Sequence, residues 1–253
     1  MSETYSYSKA SCFERCPYEF CAKYINLEDE KDNNFAKYGR AVHSILERYA
    51  KGELDLFVLP EIYKWEVSNL LETNPIPKMG KNELNDTYYE QGLQFFENFN
   101  GYDDMKIVGV EKEYKTPIEG TDIVIHGFVD LILEDENGNL IIRDYKSRGS
   151  FKSKAEQAKY FRQLYLYSYL VKTDPDIARS PSELQLHLFR TGKLISVKYD
   201  ESELQRTLEW FQGTISGIKE AFDFPPKPDF MYCFRLCGFR DTCPHSPVKR
   251  EER

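Results

Sequence analysis

Long apolar runs are absent from this chain of 253 residues. No stretch of about 18 consecutive apolar residues occurs, whereas a helix that crosses a bilayer needs roughly 20. The first residues, Met1 to Tyr5, also lack the basic and apolar segments that are typical of a secretory signal. We therefore expect a cytoplasmic protein without a membrane segment.

Repeats and low-complexity tracts are missing too, which excludes fibrous and disordered classes. Apolar residues make up 41% of the chain and aromatic residues 15%, enough for a sizeable core. The formal net charge of −8, from 34 basic and 42 acidic residues, argues against coating nucleic acid by bulk charge. The stretch from Arg143 to Arg162 nevertheless holds seven bases against two acids, and it could contact phosphates locally.

Cysteine does not occur in the 211 residues between Cys21 and Cys233. The six cysteines form two groups near the ends of the sequence: Cys12, Cys16 and Cys21, then Cys233, Cys237 and Cys243. A cytoplasmic protein keeps its thiols reduced, so clustered thiols indicate a metal site before a disulfide framework. The residues after Pro228 show little helical or strand periodicity that could order them otherwise.

Hydrophobic periodicity predicts helices first and strands afterwards. Helical spacing dominates the first hundred residues and includes a helix over about 36–50. Alternating apolar residues then predict strands at 108–114, 123–133 and 140–146, the last two joined by an Asn-Gly turn. This order of elements indicates a β-meander.

The second half of the chain alternates between helix and strand. A helix at about 155–170, strands at 184–188 and 194–199, and an amphipathic helix that begins near Asp200 follow the meander. The fold class is therefore α/β, with one mixed sheet flanked by helices. We expect a single domain, 1–253, with a mainly helical part (1–105), a core (106–200) and a cysteine-bearing end (201–253).

Two carboxylates and a lysine lie at the ends of the second and third predicted strands. Asp130 and Asp144 are separated by the hairpin, and Lys146 follows Asp144 by two residues. Residues i and i+2 of a strand point to the same face, so Asp144 and Lys146 project together. Two carboxylates bind a hard cation such as Mg²⁺ or Mn²⁺, and a lysine beside it can orient water. The pattern favours phosphodiester hydrolysis, although surface aspartates with a paired lysine would give the same spacing.

Five short blocks occur in a fixed order along the chain. They are Gly39-Arg40-Ala41-Val42-His43, Glu111-Lys112-Glu113-Tyr114, Gly127-Phe128-Val129-Asp130-Leu131, Asp144-Tyr145-Lys146-Ser147 and Gln163-Leu164-Tyr165-Leu166-Tyr167. In this order they resemble the PD-(D/E)XK nuclease superfamily, and more closely its RecB/AddB-type exonucleases and the CRISPR-associated iron–sulfur exonucleases. The resemblance implies a restriction-endonuclease-like core and metal-dependent cleavage of DNA.

The resemblance also implies a role for each block. The catalytic residues would be Asp130, Asp144 and Lys146. The ligands of Mg²⁺ or Mn²⁺ would be His43, Asp130, Asp144, the backbone carbonyl of Tyr145 and Glu111, although Glu111 could equally line its strand. Substrate would be contacted by Gln163, Tyr167, Arg148 and Lys152.

The cysteines extend the resemblance to both ends of the chain. Arg15-Cys16-Pro17-Tyr18 is similar to an upstream cluster ligand, and the C-terminal triplet to the remaining three. The implied cofactor is a [4Fe–4S] cluster on Cys16, Cys233, Cys237 and Cys243. The triplet spacing is C-x₃-C-x₅-C, whereas C-x₂-C-x₅-C is commoner in the family, and zinc could use the same sulfurs. Cys12 and Cys21 are expected to be buried without a ligand role.

The function implied is a metal-dependent DNA exonuclease of a bacterium, an archaeon or a phage. Single-stranded DNA ends would be its substrate, in DNA repair, recombination or CRISPR adaptation. No helicase motif is present, so a partner helicase or a recombination or adaptation protein would supply unwinding. Two alternatives stay open: a non-catalytic DNA-binding subunit of a nuclease/helicase complex, and a small zinc-stapled interaction module.

Overall fold

The computed structural model of the protein describes residues 3–77, 84–102 and 104–247. It contains a six-stranded mixed sheet with helices on both faces. The strands are β1 (Thr4–Tyr5), β2 (Lys106–Pro117), β3 (Val124–Glu134), β4 (Leu140–Lys146), β5 (Glu183–Leu188) and β6 (Lys193–Lys198). The helices are α1 (Tyr7–Arg15), α2 (Pro17–Phe20), α3 (Asn34–Ala50), α4 (Leu59–Thr73), α5 (Asn85–Glu97), α6 (Lys154–Lys172), α7 (Glu201–Glu220) and α8 (Phe230–Arg235). A π-helical turn (Cys21–Ile25) follows α2, and a 3₁₀ turn (Leu56–Val58) precedes α4.

The sheet confirms the predicted α/β fold and its meander. Strands β2, β3 and β4 pair antiparallel in sequence order. Helix α6 then leads to β5, which lies parallel to β4, and β6 pairs antiparallel with β5. The two-residue strand β1, which pairs in parallel with the start of β3, was not predicted because two residues carry no periodicity.

Strand β3 has an interruption along one edge. Strand β2 covers the other edge over almost the whole strand. On the interrupted edge, β1 pairs with residues 124–125 and β4 with residues 131–134. Within the described part of the chain, no strand pairs with residues 126–130 on that edge. The two flanking strands therefore leave an opening in the sheet that ends at Asp130.

Each face of the sheet carries its own hydrophobic core. On one face, Ile142 of β4 packs with Leu164 of α6 and Phe211 of α7. On the other face, Tyr145 of β4 packs with the layer of α3, α4 and α5, which includes Ile45. This division follows from the alternation of side chains along β4. None of the described helices combines the length and apolar character needed to cross a membrane.

Both ends of the chain hold short helices with defined caps. Ser6 is the N-cap of α1, and its hydroxyl accepts a hydrogen bond from the Lys9 amide. Cys16 lies between α1 and α2, because Pro17 begins the next helix. The expectation that residues after Pro228 lack regular structure is wrong: Asp229 accepts from the Tyr232 amide and caps α8.

Candidate active site

Asp130 and Asp144 face each other where β3 and β4 part. Leu131 pairs with Arg143, so the next positions in the antiparallel register are Asp130 and Asp144. The prediction that both carboxylates end their strands holds for Asp144, near the end of β4. It is wrong for Asp130, because β3 continues to Glu134. Asp130 is instead the last residue of the opening in the sheet and directly precedes the paired Leu131.

Helix α3 brings His43 to this opening. Gly39 permits the approach, since a Cβ atom there would lie 3.2 Å from the Ser147 hydroxyl just after β4. His43 Nδ1 lies 3.5 Å from Asp130 Oδ2, and Nε2 lies 2.8 Å from the Tyr145 carbonyl oxygen. A carbonyl can only accept, so Nε2 carries the proton and Nδ1 of the neutral ring faces Asp130. Burial lowers the pKa of His43, which keeps the ring neutral.

The Tyr145 carbonyl, predicted as a metal ligand, lies beside His43 at this opening. It accepts the His43 hydrogen bond and orients the imidazole. The Tyr145 amide in turn donates to Asp130 Oδ2 at 3.3 Å. One peptide segment of β4 therefore holds both His43 and Asp130 in place.

Glu111 lies opposite Asp130 on the other neighbouring strand. Val110 pairs with Leu131 and Lys112 with Val129, which sets Glu111 across from Asp130. Its φ of 45° is in the left-handed region, which costs a non-glycine residue about 1–3 kcal/mol. Burial, followed by the charge of Glu47, raises the pKa of Glu111. Glu111 therefore keeps a strained backbone conformation where it lies opposite Asp130.

His43, Glu111 and Asp130 each offer a ligand atom within 4.8 Å of the others. Asp144 adds a carboxylate that is only 1% exposed. Lys146 Nζ lies 2.6 Å from its Oδ2, and Oδ1 has no hydrogen-bond partner in the described part of the chain. Burial raises the pKa of Asp130 and of Asp144 to about 6. Buried acids with unused oxygen lone pairs fit a hard divalent cation.

Lys146 is fixed by a short chain of hydrogen bonds. Its ammonium donates to Gln163 Oε1 at 2.9 Å, and Gln163 Nε2 lies 2.6 Å from the Tyr167 hydroxyl. Burial alone would lower the pKa of Lys146, but Asp144 and Asp130 more than offset this, so the amine stays charged. Gln163 and Tyr167, expected to contact substrate, lie in this structure as supports of Lys146.

The basic stretch after β4 does not form one continuous face. Arg148 pairs with Glu156 at 2.8 Å and stacks on the rings of Phe151 and Tyr160. The Lys152 backbone amide donates to the same Glu156 carboxylate at 2.6 Å, which ties the loop to the start of α6. These contacts leave Arg148 partly engaged within the protein, and they order the loop beside Lys146.

Two features of the site were missed from the sequence. Glu47 follows His43 by one helical turn and lines a cavity with His43, Glu111 and Asp130. The i, i+4 spacing of His43 and Glu47 was the available signal. Phe128 is 46% exposed and precedes Asp130 by two residues on β3. It lines a cavity of about 310 Å³ that also reaches Asp130 and Tyr167.

The four cysteines expected to hold a cluster meet at one cavity. The lining of this cavity, which we call the cysteine cage, includes Cys16, Cys233, Cys237 and Cys243. All of the cysteines are free thiols. The Lys227 backbone amide donates to Cys16 Sγ at 3.5 Å. Burial raises the pKa of Cys237 to about 12 and also raises that of Cys233.

The two remaining cysteines do not line this cavity. Cys12 is 3% exposed, as expected of a buried small side chain. Cys21 is only partly buried, and its thiol lies 3.9 Å from Asn26 Oδ1, so the expectation of burial is wrong there.

Contacts between distant segments hold the cysteine cage together. The Tyr232 hydroxyl donates to Glu19 at 2.7 Å, which links α8 to α2. The Lys31 amide donates to the Gly238 carbonyl at 3.1 Å. A Cβ atom at Gly238 would lie 2.3 Å from Glu30 Cγ and 2.8 Å from the Lys31 carbonyl oxygen, so only glycine allows this approach.

A mixed sheet with paired carboxylates and a charged lysine at the parting of two strands defines a metal-dependent nuclease. A model of the PD-(D/E)XK nuclease superfamily matches residues 4–244, and the chain belongs to that superfamily.

One solved structure supports this fold, and a second has a weaker similarity. A candidate exonuclease from Eubacterium rectale is similar, with a TM-score of 0.55 at 14% identity over the whole of this chain and 91% of that chain. The structure of SSO0001 matches with a TM-score of 0.41 at 16% identity over 98% of this chain and 89% of that chain. This similarity is too weak to support a conclusion about the fold. No curated protein matches the chain.

Proposed function

We propose that this protein is an Mg²⁺- or Mn²⁺-dependent DNA exonuclease that hydrolyses phosphodiester bonds at single-stranded ends. The observation that carries the proposal is the Asp144 carboxylate. It is buried and faces Asp130, and Lys146 Nζ lies 2.6 Å from its Oδ2, whereas Oδ1 has no hydrogen-bond partner among the described residues. A purely structural carboxylate at such a position would be strongly destabilising.

The metal would be held by Asp130 and Asp144, with His43 and Glu111 beside them. A divalent cation at this position would polarise the scissile phosphate and lower the pKa of a bound water. Lys146 keeps a positive charge next to the same carboxylates and is held by Gln163. Its ammonium can orient the attacking water and stabilise the negative charge that develops on the phosphate.

The cavity beside Asp130 supports a single-stranded substrate. Phe128 exposes its ring there, and an exposed aromatic ring can stack on an unpaired base of any identity. Tyr167 lines the same cavity, although its ring is buried. The similarity to a solved structure described as a candidate exonuclease supports attack at chain ends. The role would be DNA repair, recombination or CRISPR adaptation in a bacterial, archaeal or phage-infected cytoplasm, with a partner helicase.

Cleavage of labelled DNA tests the proposal. Linear single strands, circular single strands and linear duplex are each incubated with Mn²⁺, Mg²⁺, Ca²⁺ or chelator. We expect linear single strands to be degraded with Mn²⁺ or Mg²⁺ only, and Asp144→Asn to be inactive. Equal cleavage of circles would instead indicate an endonuclease. Binding of DNA without cleavage under every condition would indicate the non-catalytic subunit.

The proposal includes a [4Fe–4S] cluster in the cysteine cage. The cage brings together the four cysteines that the resemblance assigns to such a cluster, which takes four thiolates. The Lys227 amide supplies a hydrogen bond to Cys16 Sγ.

Purification without oxygen tests the cofactor. We expect a brown protein with about four iron atoms and four sulfides per chain, as the cluster formula requires. A colourless protein with one zinc per chain would show that the cysteine cage binds a metal, but it would contradict the proposed iron–sulfur cluster.

A further inference from the structure

A cavity of about 440 Å³ lies behind β4, the strand that carries Asp144 and Lys146. Its walls come from α5 and the turn after it, from β4 and from the turn between β5 and β6. Strand β4 contributes Arg143, which directly precedes Asp144. Because side chains alternate along a strand, Arg143 points to the sheet face opposite Asp144 and Lys146. The cavity is therefore separate from the candidate active site.

Positive charge in this cavity has no acidic partner. No aspartate or glutamate lines it in the described ranges, although the whole chain carries −8. Arg143 is 6% exposed, and its Nε donates to the neutral Gln185 amide oxygen at 2.8 Å. Arg190 donates to the Gln91 amide oxygen at 2.9 Å, and its guanidinium lies 3.6 Å from the centre of the Tyr88 ring. Two guanidinium groups with neutral partners leave an uncompensated charge that an anion can satisfy.

The remaining walls suit a planar polar group. Gln94 of α5 and Asn98, the residue after this helix ends, are exposed at the rim, and Asn98 Nδ2 donates to the Gln94 carbonyl at 2.7 Å. Phe95 forms an apolar wall whose ring lies 5.1 Å from that of His187. His187 adds no charge, since burial and the nearby Arg143 lower its pKa to about 4. Side-chain amides pair with base edges, and aromatic rings stack on bases.

We propose that this cavity binds a nucleoside monophosphate, with its phosphate on Arg143 and Arg190 and its base between the α5 amides and Phe95. The volume lies within the range of small-molecule sites, about 300–1,000 Å³. The identity of the ligand as a cleavage product rests on the proposed function. Binding itself does not, because it needs neither the divalent metal nor Asp144.

Calorimetric titration in chelator tests the site. The ligands are deoxyadenosine monophosphate, inorganic phosphate and deoxyadenosine. We expect the monophosphate to bind at least about tenfold more tightly than either fragment. Arg190→Gln should weaken it about tenfold or more, whereas Arg206→Gln, at an exposed arginine of α7, should not change it.

A second variant covers the case in which Arg190→Gln does not fold. Asn98 is exposed at the rim, so Asn98→Asp should fold. It adds a negative charge to a cavity that binds an anion and should weaken binding at least about tenfold, with normal DNA cleavage. Asp144→Asn should bind the monophosphate like the wild type while losing cleavage. If only Asp144→Asn lost binding, the nucleotide would bind at the active site and not in this cavity. Equal affinity for inorganic phosphate, or no binding at millimolar ligand, would also overturn the proposal.

Discussion

The candidate active site and the cysteine cage are built in opposite ways. The active site gathers charged groups on neighbouring strands, and the sheet holds them although burial opposes their ionisation. The cysteine cage gathers neutral thiols from segments more than two hundred residues apart, with few sheet contacts to hold them. We therefore expect the candidate active site to lower the stability of the fold in return for catalysis. The cysteine cage is expected to raise the stability of the fold and to take no part in catalysis.

Asp144→Ala should give the largest effect, and only on activity. Loss of a carboxylate at the metal site should reduce cleavage to background, while removal of a buried charge that repels Asp130 should leave the metal-free protein as stable or more stable. End-labelled DNA and thermal unfolding in chelator measure the two. Wild-type Mn²⁺-dependent cleavage by the purified variant would show that the site is assigned wrongly.

Cys16→Ser should give the opposite result, with a large loss of stability. A cluster that joins Cys16 to the C-terminal triplet closes a long loop, which is worth on the order of several kcal/mol in the simple entropy model. We expect loss of colour, a lower melting temperature and faster proteolysis after Pro228, with activity falling only as a consequence. Iron, sulfide and melting temperature are measured without oxygen.

Cys21→Ser is the matched control for that variant, because its thiol lies outside the cysteine cage. It should keep both colour and stability. If colour survived Cys16→Ser and disappeared in Cys12→Ala, the first ligand would lie one helical turn earlier than proposed.

Lys146→Ala should reduce turnover by at least about a hundredfold, the usual loss for one preorganised electrostatic partner. DNA affinity measured in Ca²⁺ should fall much less, since the amine is expected to act on the developing charge. An equal loss in affinity and turnover would make Lys146 a simple phosphate anchor.

Gln163→Leu should have a smaller effect in the same direction. It removes the acceptor that holds the Lys146 ammonium at 2.9 Å but leaves the charge itself. We expect roughly a tenfold loss of turnover, within the range of general catalytic positioning effects. Gln163→Glu restores an acceptor and should recover part of the activity; a variant as inactive as Gln163→Leu would argue against positioning through this bond.

Acidification should lower the stability of the sheet through His187 and should not act through the cysteine cage. His187 packs 5.5 Å from the Tyr145 ring, and burial lowers its pKa from 6.5 to about 4. The unfolded chain therefore binds more protons at this residue between these values, so its contribution is complete above pH 6.5 and is lost as pH falls toward 4. His187→Gln should flatten melting temperature against pH in this window by a few degrees. An unchanged pH profile would contradict this assignment.

Local patterns predicted the strands and the side-chain directions within them. Strand 140–146 was predicted to its exact bounds, and the i, i+2 spacing brought Asp144 and Lys146 together as expected. The contact between His43 and Tyr145 joins residues 102 positions apart and depends on how α3 packs. The left-handed backbone at Glu111 likewise has no local sequence signal.

The basic stretch shows why charge counts alone are insufficient. Seven bases between Arg143 and Arg162 suggested one phosphate-binding face. Strand alternation sends Arg143 to the opposite side of the sheet, and Glu156 engages Arg148 in the loop. Net charge along a segment reports composition, whereas the direction of each side chain depends on the element that carries it.

The separation of Cys16 from the C-terminal triplet has a consequence for biosynthesis. At a translation rate of ~5–20 residues per second, more than ten seconds pass between the synthesis of Cys16 and that of Cys243. The meander and its helices emerge from the ribosome within this interval and can fold before the cysteine cage is complete. Insertion of the proposed cluster would then be the final step of maturation, after newly made chains have passed through a folded, cluster-free form.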